Sequence, residues 1–219
     1  MSLQYRVQME QDWAAEHLQV IRTLMERSAV YRRALAPVMS FAGFIGIAAA
    51  VVGHFGPIKS VRGFVFFWGG VSMIALGGTF LLVRRQAIKD QETIWSPPTR
   101  RVAQALLPCL FVGAAIGMMM GVAFPGSDAP VIDFQFLAPI WVILYGCALH
   151  SAGFFTARGI KLFGWAFIVA GCFLLFALPR AGLAGVAVSP HWVMGFFFGL
   201  LHLAYGVYLY FTEQRRSAT

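Results

Sequence analysis

The chain has 219 residues, 59% of them hydrophobic and only 12% charged, with a formal net charge of +8. Soluble domains carry about a quarter charged residues, and mean hydropathy here is +0.72. Composition therefore excludes an ordinary soluble domain and points to an all-α polytopic membrane protein, because the long apolar runs lack the polar–apolar alternation of barrel strands.

In residues 1–33, Trp13, His17, Val20, Leu24 and Ser28 recur at helical spacing, while Arg6, Glu10, Arg22 and Glu26 lie mostly elsewhere. This pattern predicts an amphipathic cytoplasmic helix that lies on the bilayer, folds beneath the bundle or meets a partner helix. The apolar run at 34–55 follows that long polar segment without the layout of a cleavable signal, so it is expected to be retained as a span. Further spans are expected at roughly 61–83, 102–124, 134–156, 161–178 and 191–211, which makes six within a domain of 34–212. Three helical hairpins would arrange them, followed by a cytoplasmic tail at 213–219.

The segment "RRQAIKDQETIWSPPTRR" at 84–101 carries the second helix past the membrane through Arg84, Arg85 and Lys89. Pro97 and Pro98 then read as a stiff stop before the third span. Trp95 reads as an interfacial anchor, with tucking against the N-terminal helix as the alternative. "FPGSDAPVIDF" carries Asp128 and Asp133 as solvated acids, and "LPRAGLAGVAVSP" reads as a flexible or re-entrant connector. A faint repeat places Trp68 on Trp141, Ala75-Leu76 on Ala148-Leu149 and Arg85 on Arg158.

Placing both termini inside puts 14 of the 17 Lys and Arg residues on the inner side, the pattern of a cell (inner) membrane protein. The positive charge then belongs to the lipid surface, and no recognition motif supports a nucleic-acid partner. Cys109, Cys147 and Cys172 lie within spans and have no paired spacing, which suits buried thiols rather than a disulfide framework or a thiolate metal site.

All nine acidic residues fall outside the expected spans. Ion-coupled transport of the usual carboxylate type is thereby disfavoured, since it keeps an acid within the membrane. Histidine remains. In the fourth span Gly146, His150 and Gly153 share a face, and in the last span so do Gly195, Gly199, His202 and Gly206. Glycines at these spacings let a helix or a flat ligand approach closely.

Three readings follow. The histidines are hydrogen-bonded packing residues; or His150, His202, Tyr145 and Tyr205, with Gly146, Gly153 and Gly199, bind or pass a small molecule between the fourth and sixth spans; or His150 and His202 hold a b-type haem, with His54 and His191 as a second pair. No nucleophile or zinc motif accompanies a histidine, so the enzyme reading has no positive support. The different-class alternative is a non-catalytic membrane anchor or sensor. It would meet a cytoplasmic protein or a second copy through the N-terminal helix and the 84–101 loop.

Overall fold

The computed structural model describes residues 35–89, 91, 94–95, 97–122, 134–156, 158–183 and 188–217. The expected N-terminal amphipathic helix and the loop bearing Asp128 and Asp133 lie outside these residues. The described residues form helices α1 (Leu35–Phe55), α2 (Val61–Lys89), α3 (Pro97–Val122), α4 (Phe134–Ala152) and α5 (Arg158–Leu183). A last continuous helix comprises α6 (Pro190–Met194), a π-helical segment (Gly195–Leu201) and α7 (His202–Ser217). No strand occurs among the described residues.

Among the described residues, five helices are long and apolar enough to cross a membrane, and a shorter apolar helix covers Phe136–Ala152. A helix satisfies its own backbone hydrogen bonds, which hydrocarbon requires. Large side chains such as Phe44, Met73, Phe111 and Leu162 are at least 67% exposed. So apolar an exterior suits a lipid environment.

Three boundaries differ from the sequence expectation. Pro97 and Pro98 begin α3 rather than halting the chain ahead of it, because a helix's first turn needs no amide donor. The run at 134–156 ends its helix at Ala152. There Gly153 presses against the next helix, and a Cβ on it would lie 2.8 Å from the Lys161 amide nitrogen. The expected short fifth span is a 26-residue helix that takes in the start of the "LPRAGLAGVAVSP" connector.

Glycine contacts decide which helices meet most closely. Gly146 of α4 and Gly164 of α5 lie back to back: a Cβ on Gly146 would sit 2.8 Å from the Gly164 carbonyl oxygen, and one on Gly164 would sit 2.6 Å from the His150 amide nitrogen. Trp141 of α4 fills a seat on α3, donating its indole N–H to the Gly113 carbonyl at 2.8 Å and covering Gly117. Along α1, Gly43 meets Leu203 and Gly46 meets the Phe198 carbonyl, while Gly195, Gly199 and Gly206 of the last helix meet Ala50, Ile47 and Ser40 in return. Small residues at each crossing allow such approach. The space between is filled by Phe64, Trp68, Leu137, Val142 and Phe167, all at most 2% exposed.

Candidate functional site

His202 lies where α7 succeeds the π-segment, only 2% exposed. Its Nδ1 is 2.8 Å from the Phe197 carbonyl oxygen, five residues earlier on the same helix. Its Nε2 is 2.8 Å from the Tyr145 hydroxyl of α4. A carbonyl only accepts, so Nδ1–H donates to Phe197; a neutral imidazole then leaves Nε2 as the acceptor for the Tyr145 O–H. One side chain thereby closes an intrahelical turn and ties the last helix to α4.

Aromatic rings enclose this pair. The imidazole meets Phe163 and Phe167 edge-on, with centroids at 5.3 and 5.6 Å, and stacks on Phe198 at 6.0 Å. Tyr145 in turn packs on Phe167 and Phe198, at 5.5 and 4.9 Å. Every polar capacity of the His202 ring is met by protein, and its faces and edges meet apolar rings.

Of the residues expected to form a site between the fourth and last spans, Tyr145 and His202 are brought together directly. Tyr205 is connected through Phe163, on which it stacks at 4.7 Å, and its hydroxyl crowds Gly159. His150 stands apart from His202: its ring meets Phe154 and Trp165, each at 5.4 Å, and its buried Nδ1 has no hydrogen-bond partner among the described residues. Gly146 and Gly153 face α5, and Gly199 faces α1. Those glycines admit helices rather than opening a cleft between α4 and α7.

A second buried histidine sits at the α1–α2 end. His191, the first residue of the expected last span, is 3% exposed inside α6 and accepts the Trp68 indole N–H on Nδ1 at 3.1 Å. Gly53 leaves the room its ring occupies, since a Cβ there would collide with the imidazole. Its buried Nε2 has no hydrogen-bond partner among the described residues. Trp68 and His191 are 123 residues apart, and no spacing in the sequence signals such a pair. The π-segment was equally invisible, although glycines at 195 and 199 are compatible with it.

The residues do not fit the haem arrangement. An axial histidine needs a free ring nitrogen facing open space, whereas both His202 nitrogens are engaged and its ring is boxed by aromatics. In the second pair, His191 Nδ1 takes the Trp68 N–H, and His54 packs against Trp192 at 5.0 Å. No group of three or more His, Cys, Asp or Glu among the described residues is placed to hold a metal ion. No family model matches the chain, and no curated protein or solved structure proved similar to it.

Proposed function

We propose that the chain is a non-catalytic six-span protein of the cell (inner) membrane, acting as an anchor or sensor, with both termini in the cytoplasm. The observation that carries this reading is the closed environment of His202: both ring nitrogens bond to protein and four aromatic rings surround it. A residue lining a transport path keeps a polar group turned toward the path, and His202 keeps none. In this reading the Tyr145–His202 bond is a structural clasp, and α4 serves as the sixth span despite its shorter apolar length. The lopsided Lys and Arg placement supports the orientation. Contact with a cytoplasmic partner or a second copy falls to the N-terminal segment and the 84–101 loop, where Trp95 is 64% exposed.

Binding or transport of a small molecule is the second reading, and the buried, unpartnered Nδ1 of His150 favours it. Native mass spectrometry of the full chain in nanodiscs separates the two. The anchor reading expects only lipid to remain bound, identically in wild type and in His150→Ala and His202→Asn. A stoichiometric non-lipid molecule lost in either variant overturns it in favour of the binding reading.

A further inference from the structure

The π-segment Gly195–Leu201 contains one residue more than an α-helix of the same rise would use, and such insertions within a span are uncommon and often functional. Its end at His202 is unusual in its bonding. The last π-turn pairs the Phe197 carbonyl with the residue five positions on, His202, whose amide also reaches the Gly199 carbonyl. The His202 imidazole gives that same Phe197 carbonyl a side-chain donor at 2.8 Å. The side chain thus reinforces the π-turn, and the π-register is favoured where this ring is held. Tyr145 holds it from the other side.

We infer that the last helix is a two-state element, π-bulged or continuous α, and that the Tyr145–His202–Phe197 contact selects the π state. The inference deepens the clasp reading and rests on it. Absorbing the bulge means that one flank must turn by about 100° and slide about 1.5 Å along the axis. The N-terminal flank is fixed, because His191 is bonded to Trp68 and fills the notch at Gly53. The α7 flank therefore moves, each of its residues advancing into the place now held by its C-terminal neighbour. Leu201 then faces Tyr145, His202 takes the place of Leu203 beside Gly43, and Tyr205 takes the place of Gly206 beside Ser40.

That last replacement is what makes the change travel. Even a Cβ on Gly206 would lie 2.7 Å from the Ser40 amide nitrogen, so a tyrosine in that place displaces α1. The α-register is incompatible with the present α1 crossing, whereas the π-register fits it. The position of α1 and the Tyr145–His202 bond are thus linked through one helix, a conformational device for transmitting a change between α4 and α1. Here His202 is a positioning residue.

The test measures a distance. Nitroxide labels go on Phe44→Cys of α1 and Tyr208→Cys of α7, which are 67% and 62% exposed. Cys109, Cys147 and Cys172 are replaced by Ala, and the full chain is placed in nanodiscs. Wild type is expected to give one label–label distance by pulsed electron resonance, and His202→Leu a second one differing by about 5 Å or more, given the helix diameter with side chains. Deleting Leu200 in the His202→Leu background removes the extra residue and is expected to restore the single original distance. If His202→Leu does not yield folded protein, Tyr145→Phe carries the test, with the second distance expected as a minor population. An unchanged single distance in the variants that fold overturns the two-state helix. Lower stability with that unchanged distance would keep the clasp and still refute the switch.

Discussion

Tyr145→Phe isolates one hydrogen bond at nearly constant packing. The phenyl ring keeps its contacts with Phe167 and Phe198, and only the hydroxyl 2.8 Å from His202 Nε2 is lost. Nε2 is then a buried acceptor with no donor, which costs about 1–3 kcal/mol by the desolvation argument. Interhelical hydrogen bonds in membranes average about 0.6 kcal/mol and reach about 1.7 kcal/mol, because the unfolded chain in lipid also finds partners. Together these give an expected loss of about 1–1.5 kcal/mol, close to tenfold in the unfolding equilibrium. His202→Ala loses the ring as well, opening a cavity among Phe163, Phe167 and Phe198 and stranding both the Phe197 carbonyl and the Tyr145 hydroxyl. Cavity and orphaned groups together come to about 3–5 kcal/mol. In the double variant no Tyr145 hydroxyl is left stranded, so the combined loss falls short of the sum by about 1 kcal/mol. Reversible unfolding in mixed micelles titrated with denaturing detergent supplies all four free energies. A Tyr145→Phe value within about 0.3 kcal/mol of wild type, or strict additivity, would refute the clasp.

Gly164→Ala is expected to destabilise by about 1–3 kcal/mol in the same assay, since its Cβ meets the His150 amide and the Gly146 carbonyl, backbone atoms that cannot rotate aside. Gly70→Ala, with nothing near its Cβ, serves as the paired control and should be neutral or slightly stabilising. Trp68→Phe removes the donor to His191 Nδ1 and should cost about 1–3 kcal/mol, with a loss of hydrogen-exchange protection concentrated in Pro190–Met194. Nitrogen-15 spectra of histidine-labelled protein should show His202 protonated at Nδ1 and bare at Nε2; the opposite tautomer would overturn the donor assignment.

The helical membrane character was legible because it is written in composition, and a run of about twenty apolar residues has few other uses. Helix ends were less legible. Pro97 and Pro98 carry the same local chemistry whether they stop a helix or start one, and only the residues that follow decide. The glycine spacing around His150 and His202 correctly marked close-packed faces, but spacing says which residues share a face, not which helix arrives there. Gly146 and Gly153 met α5, and Gly199 met α1. Tyr145 was legible as a neighbour of the expected site, whereas the Trp68–His191 bond depends on tertiary placement across 123 residues.

Several side-chain donors of the described helices are spent on bonds within the protein itself. Where a span must both fold and conduct, its intramembrane polar groups are left partly available for an ion or solute, commonly as carboxylates. Here every acidic residue lies outside the expected spans. Of the side-chain donors within the helices, the Trp68 indole goes to His191, the Trp141 indole to the Gly113 carbonyl, the Ser72 hydroxyl to the Trp68 carbonyl and the Tyr145 hydroxyl to His202. Three of these four bonds join different helices, fixing α2 to α6, α3 to α4 and α4 to α7. They fix orientations that glycine faces alone leave free, since a smooth small-residue crossing tolerates sliding and rotation. Glycine contacts supply proximity along α1 and between α4 and α5, and aromatic donors supply register elsewhere. Of these register bonds, the Tyr145–His202 bond is the one coupled to an irregular backbone, which makes it the point at which a change in one helix crossing would be felt by another.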